Sequence, residues 1–150
     1  MTIWVDADAM PRAAKDILIR ASQRRKVPVI MVANRYVDNQ GAALVSSIQV
    51  SQGPDVADDY IVENCGPGDL VISADLPLAS RAVEQGAIVL QPRGRILDED
   101  NVDELRSLRD ASEELRSGGV ITGGPPPFDG AAKQRFANAL DRWITMNGRP

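Results

Sequence analysis

The stretch Ile3-Trp4-Val5-Asp6-Ala7-Asp8-Ala9-Met10-Pro11 decides how the rest of the chain is read. A short apolar run ends in two aspartates one residue apart, and a proline then opens a segment with helical spacing. This is the pattern of a buried strand running into a βα turn. In an open parallel sheet that turn lies on the edge where ligands bind, beyond the carboxyl ends of the strands. Two carboxylates there suit a hard divalent cation or acid–base chemistry. The alternative gives them no chemistry: Asp8 caps the helix and Asp6 sits in a solvated loop.

Apolar residues recur at Ala13, Ala14, Ile17, Leu18 and Ala21, which predicts a helix from Pro11 to about Arg24. Its other face carries Arg12, Lys15, Asp16, Arg20, Arg24 and Arg25, either a solvated face or a phosphate-tracking patch. Residues 27–33 predict a second strand. Residues 36–46 carry no clear pattern, and Ile48-Gln49-Val50 is a candidate third strand. Asp55 is placed to cap a helix that Gly66 would end. Within it Asp58, Ile61, Val62 and Cys65 follow the i, i+3, i+4, i+7 spacing of one helix face. Asp58 therefore begins an apolar stripe and should lean inward, and Asp59 outward. Residues 69–75 predict a fourth strand ending in Asp75. Pro77 opens a helix that stops near Gly86, and residues 87–90 predict a fifth strand, ended by Gln91-Pro92-Arg93-Gly94-Arg95.

Strands this short and apolar on both faces belong to a parallel sheet covered by helices, with right-handed crossovers. An order of 3-2-1-4-5 makes strands one and four neighbours, so that Asp6 and Asp75 face each other across the crevice. Residues 98–116 predict a highly charged helix with a narrow apolar seam of Val102, Leu105, Leu108 and Leu115. That seam offers a partner surface, with no oligomeric state implied. Residues 122–128 form a stiff Gly/Pro loop. Asp129 can then cap a last helix whose core face is Phe136, Leu140, Trp143 and Ile144. One α/β domain over residues 1–150 is expected, with its core in 1–95 and a C-terminal helical extension in 96–150.

Composition narrows the chemistry. The chain has 150 residues, 43% of them hydrophobic and 25% charged, enough to bury a core and unlike a disordered chain. A net charge of −4 argues against a general coat of basic residues for nucleic acid, though not against a local patch. Met1 is followed at once by a strand-like run, so neither a secretory leader nor a membrane span is expected. Cys65 is the only cysteine and excludes an intrachain disulfide, as suits a reducing, cytoplasmic setting. There is no histidine. That removes Ser-His-Asp and Cys-His catalysis and every zinc site with His ligands. What remains is carboxylates, hydroxyls, Arg/Lys and metal ions.

Asp6, Asp8, Asp58, Asp59 and Asp75 are thereby gathered on one sheet edge, where they repel one another at neutral pH. A cation would offset that repulsion, and Mg2+ or Mn2+ fits an oxygen-only donor set. Such an ion can activate water and stabilise a displaced phosphate oxygen without a histidine base.

Five ordered motifs then carry a resemblance: residues 4–9 (WVDADA), 55–62 (DVADDYIV), 68–79 (GDLVISADLPLA), 122–128 (TGGPPPF) and 135–142 (RFANALDR). Over nearly the whole chain they resemble the bacterial YaiI/YqxD family, also called UPF0178, which is grouped with PIN-like domains, the metal-dependent ribonuclease fold. The resemblance implies a PIN-like three-layer α/β sandwich with an acidic metal site at Asp6, Asp58 or Asp59, and Asp75, with Asp8 beside them. Met10 stands where the family commonly has cysteine before the proline, so no thiol role is required there.

The expected activity is a Mg2+- or Mn2+-dependent nuclease acting on RNA. Asp6 and Asp75 are its principal ligands, Asp58 holds the metal or a water, and Asp8 holds a second metal or a water. Arg12, Lys15, Arg93 and Arg95 are candidates for phosphate contacts. A non-catalytic metal- or nucleic-acid-binding module of the same fold is the alternative. A phosphatase of the haloacid-dehalogenase type ranks lower. Asp6-x-Asp8 resembles its nucleophile and acid, but Met10 replaces the expected Thr or Val, and no lysine lies between residues 27 and 132.

Overall fold

The computed structural model describes residues 1–53, 55–103 and 128–147. Six strands, β1 (Ile3–Asp6), β2 (Val29–Ala33), β3 (Val45–Gln49), β4 (Leu70–Ile72), β5 (Ile88–Leu90) and β6 (Ile96–Leu97), form one sheet in the order β3-β2-β1-β4-β5-β6. All neighbours are parallel except β5 and β6, which pair antiparallel. β1 lies at the switch point: Val5 is in register with Met31 of β2 on one side and with Ile72 of β4 on the other.

Helices α1 (Arg12–Arg25), α2 (Val56–Asn64), α3 (Leu76–Glu84) and α4 (Gly130–Asn147) cover both faces. Strand alternation sorts the core into two layers. Ile3, Val5, Met31, Leu70, Ile72 and Leu90 pack beneath α1 and α4, against Leu18, Phe136, Leu140 and Ile144. Trp4, Val32, Val71 and Val89 pack on the opposite face, against Ile61 and Val62 of α2 and Leu78 and Ala82 of α3. This is the helix-covered sandwich that strands apolar on both faces require. Each fully buried Leu, Ile or Phe contributes about 1.5–3 kcal/mol, so α4 completes the first layer of the core. Asp129 caps it as the sequence predicts, its Oδ1 accepting from the Ala132 amide at 2.9 Å. Arg25 of α1 ties the two helices of that layer, donating to Asp141 and to Thr145 of α4. Arg24 also approaches Asp141, at 3.7 Å, so this end of the basic helix face serves packing.

Several expectations need correction. β3 begins at Val45, three residues before the predicted Ile48, because its exposed positions (Ser46, Gln49) hide the apolar signal. β6 extends the predicted order by one strand. It follows a tight turn in which Gly94 takes φ +94° and lies so close to α4 that a Cβ would stand 2.9 Å from the Arg135 backbone. Asp55 occupies the N-cap position of α2, but with a left-handed backbone (φ +65°) and no side-chain cap hydrogen bond. The helix does end where Gly66 was expected to end it, with Cys65 as C-cap and Gly66 next, and the positive φ of the turn that follows falls at Gly68 (+87°). β4 is shorter than predicted, and the chain leaves the sheet at Ser73 before reaching Asp75. Of the helix predicted over 98–116, the described part is its opening. Asp98 accepts from the Val102 amide at 3.0 Å, and Val102 is buried in the second core layer. Residues 104–127, including most of that helix and of the Gly/Pro loop, lie outside the described residues.

Candidate functional site

Asp6 is the last residue of β1 and shares the parity of Trp4, so its side chain projects toward the layer of α2 and α3. It is only 7% exposed. Its one hydrogen-bond partner among the described side chains is Ser73, whose buried hydroxyl donates to Asp6 Oδ2 at 3.2 Å. The same Oγ accepts from the Asp75 amide at 3.0 Å. Asp75 then caps α3, its Oδ1 accepting from the Leu78 amide at 3.1 Å, and the Pro that follows at Pro77 suits the first helical turn. One serine thus couples the ends of β1 and β4, leaving one oxygen each of Asp6 and Asp75 without a hydrogen bond from a described group.

Asp58 reaches the same place from α2. Ile61, Val62 and Cys65 are buried, and Tyr60 packs edge-on against Trp4 at 6.2 Å between ring centroids. These contacts fix the helix so that Asp58 is half-buried and Asp59 exposed. Asp59 pairs outward with Arg81 of α3 at 2.8 Å.

The electrostatics follow from this placement. Burial holds the Asp6 carboxyl above the usual range, opposed by the Ser73 hydrogen bond and reinforced by the charges of Asp75 and Asp8. Asp58 is raised from 3.8 to about 6, first by burial and then by Asp6, Asp75 and Asp55, with Arg81 opposing. Asp6, Asp58 and Asp75 therefore share one field, with Asp8 and Asp55 on its margin. Among the described residues, no three His, Cys, Asp or Glu side chains stand close enough to enclose one ion. The donor chemistry, oxygen ligands with unspent negative charge, nonetheless suits a hard divalent cation.

Asp8 has a different environment. Its Oδ2 accepts from the Asn34 amide at 2.8 Å, and Oδ1 lies 4.0 Å from Arg35 Nε. It thus ties the turn after β1, a single 3-10 turn over Ala7–Ala9, to the end of β2. The alternative in which Asp8 caps α1 and Asp6 is solvated is corrected on both counts. Pro11 is the N-cap of α1, without a side-chain cap, and Asp6 is buried.

The basic candidates divide. Arg12 and Lys15, in the first turns of α1, line a groove of about 610 Å3 with Arg35 and Tyr36. Arg93 and Arg95 are exposed in the β5–β6 turn, farther along the same edge, where the Arg93 carbonyl accepts from Arg135 Nε at 3.4 Å. Burial pushes the Cys65 thiol up, which leaves it protonated and unreactive. Ser73, which links Asp6 to Asp75, is the residue of this edge that the sequence pattern did not single out. Its signal was a lone hydroxyl continuing an apolar strand.

The sequence model of the family described as "Uncharacterized BCR, YaiI/YqxD family" matches residues 4–146. Among curated relatives, a UPF0178 protein of Trichlorobacter lovleyi is 52% identical over 145 residues, covering 97% of this chain and 94% of the relative. The UPF0178 protein Bpet3884 of Bordetella petrii is 51% identical over 149 residues, 99% of each chain. A UPF0178 protein of Maridesulfovibrio salexigens is 48% identical over 147 residues, covering 98% of this chain and 97% of the relative. No solved structure matches the chain at a significant level. The chain belongs to the YaiI/YqxD family.

Proposed function

We propose that this member of the YaiI/YqxD family is a Mg2+- or Mn2+-dependent nuclease acting on RNA, built on a PIN-like sandwich. The observation that carries the proposal is the shared field of Asp6, Asp58 and Asp75 at the switch point of a parallel sheet. Burial, with the repulsion of neighbouring carboxylates, holds Asp6 and Asp58 above their ordinary range. The sheet order 3-2-1-4-5-6, with its helices on both faces, is consistent with the PIN-like assignment.

Asp6 and Asp75 would be the principal ligands and Asp58 a ligand or water holder. Asp6 is the fixed member of the set, held by Ser73, and Asp58 and Asp75 are the accessible ones. A divalent ion would make water more acidic and offset charge on the leaving phosphate oxygen. Ser73 keeps the Asp6 carboxylate aimed at the edge, and the α3 cap fixes Asp75. Asp8 holds the β2 end beside the site. Arg12, Lys15, Arg93 and Arg95 would steer the phosphate backbone. A single buried thiol accords with a reducing, cytoplasmic setting, and no helix among the described residues is long and apolar enough to cross a membrane.

A non-catalytic module of the same fold is the second reading, favoured by the absence of a ready three-residue ligand group among the described residues. The test is incubation with mixed-sequence RNA and millimolar Mn2+, comparing wild type with Asp6→Asn and EDTA controls. Cleavage lost in both controls is expected. Binding without turnover would favour the module. Phosphate release from a simple monoester, without RNA cleavage, would favour a phosphatase.

A further inference from the structure

Beside the acidic edge, the groove between α1 and the segment after β2 has a composition that the carboxylate site does not explain. We propose that this groove is a subsite for one nucleotide of a single-stranded nucleic acid, its base stacked on Tyr36 and its phosphate held by Arg12, Lys15 and Arg35. The assignment rests on the nucleic-acid reading above and adds where, and in what form, the chain is gripped.

The first observation is Tyr36 itself. The chain has six aromatic residues, and Tyr36, 68% exposed, is the one left out in solvent. Trp4, Phe136 and Trp143 are buried, and Tyr60 and Phe128 pack on Trp4 and Phe136. An aromatic ring held at the surface is what base stacking uses.

The second is that the ring stands on a fixed base. The Asn34 amide is held by Asp8, and the Val37 amide donates to Ser47 Oγ at 3.1 Å. Asn39 Nδ2 donates to the carbonyls of Ala42 and Val45, at 3.1 and 3.2 Å. A loop so pinned loses little conformational entropy when a ligand binds.

The third is charge and size. The groove volume of about 610 Å3 falls in the usual range for small-ligand sites. Its floor is apolar, with Met10 and Ile19 buried. Two carboxylates also line it, but each is engaged locally: Asp16 accepts from Gln40 Nε2 at 2.9 Å and Asp38 from the Gln40 amide at 3.2 Å. Arg12 and Lys15 have no carboxylate partner among the described residues. An apolar floor, an aromatic wall and free cations at the rim together fit a base joined to a phosphate.

The fourth is position. Arg35 of the groove lies 4.0 Å from Asp8, in the 3-10 turn that directly follows Asp6. The groove therefore adjoins the turn at the carboxyl end of β1. Stacking on one exposed face needs an unpaired base, so the substrate is a single strand.

The test measures binding of a fluorescein-labelled 12-nucleotide RNA in EDTA, where metal-dependent turnover is silent. Tyr36→Ala should weaken binding about tenfold or more, and Tyr36→Phe, which keeps the ring, should stay within about twofold of wild type. Arg12→Ala and Lys15→Ala should each lower the slope of log affinity against log salt by about 0.7. Arg20→Ala, on the same helix but outside the groove, should do neither. A duplex of the same sequence should bind more weakly. Unchanged binding by Tyr36→Ala, an equal loss with Arg20→Ala, tighter binding of duplex, or no binding by wild type would each overturn the subsite. Cleavage in Mn2+, assayed in parallel, separates the two proposals. RNA cleavage with KM unaffected by Tyr36→Ala removes the groove and leaves the nuclease. Tyr36-dependent binding without cleavage leaves the groove and removes the nuclease.

Discussion

Replacing Asp58 with Asn should make the metal-free protein more stable at alkaline pH. A carboxyl that binds its proton more tightly in the folded chain than in the unfolded one favours folding when protonated. Its contribution is fully present below the unfolded value near 3.9 and is lost as pH rises through the folded value of about 6. A rise from 3.8 to about 6 corresponds to about 3 kcal/mol, at about 1.4 kcal/mol per tenfold change in proton affinity. Asp58 is only half-buried, and solvent screening cuts that to about 1–2 kcal/mol. Its place in the first turn of α2 returns about 0.5 kcal/mol through the helix dipole, which Asn forfeits. The net gain at pH 8 is about 1 kcal/mol, or about 2–4 °C in Tm for a chain of this length. The assay is thermal unfolding of wild type and Asp58→Asn in EDTA at pH 4 and pH 8. The advantage of the variant should be clear at pH 8 and small at pH 4, where Asp58 is protonated in the folded chain and about half protonated in the unfolded one. An Asp58→Asn protein that melts at or below wild type at pH 8, or whose advantage is equal at both pH values, would refute the shared carboxylate field.

Mn2+ at about 100 times its dissociation constant should add about 2.7 kcal/mol, raising Tm by several degrees, and Asp6→Asn or Asp75→Asn should abolish that shift; no shift in the wild type would remove the metal site. Titrating Mn2+ against Tm should show Asp58→Ala losing more affinity than Asp59→Ala, because Asp59 pairs outward with Arg81; the reverse order would show that α2 presents the other carboxylate. Asp69→Ala should cost about 2–4 kcal/mol by chemical denaturation, since its carboxylate accepts from the Thr2 amide, Trp4 Nε1 and the Gly66 amide, while leaving any Mn2+ shift intact; a lost Mn2+ shift in a folded Asp69→Ala protein would contradict the division of roles between the two sheet edges.

What could be read from the sequence was whatever depends on local spacing. The run Ile3–Val5 ending at Asp6, the apolar stripe after Asp58 and the face Phe136-Leu140-Trp143-Ile144 are periodic, and they fold as periodic elements. The strand order follows from chain connectivity and the right-handed crossover. What could not be read depends on contacts between distant segments. Asp8 resembles a cap until the Asn34 amide, 26 residues away, takes its oxygen. Asp55 resembles one too, but its backbone turns left-handed and carries the side chain off the helix end. β3 is half polar because it lies at the sheet edge. Ser73 was overlooked because a serine after a strand has many uses, and only the meeting of β1 with β4 gives it Asp6 as a partner.

Asp69 and Asp6 both adjoin apolar strand residues, one before a strand and one at the end of a strand. Asp69 precedes β4 and Asp6 ends β1, so they stand at opposite edges of the sheet. At the amino edge, two backbone amides and an indole N–H converge on Asp69, and its charge is spent within the fold. At the carboxyl edge, carbonyls rather than amides emerge from the strands, and Asp6 receives a single hydroxyl while facing other carboxylates. A half-buried carboxylate with three donors, as at Asp69, is a structural tie. A buried one with a single donor and like charges around it is a cost to the fold, of the kind that active sites carry. The edge that offers the fewest donors is therefore the edge where negative charge remains for a ligand to neutralise.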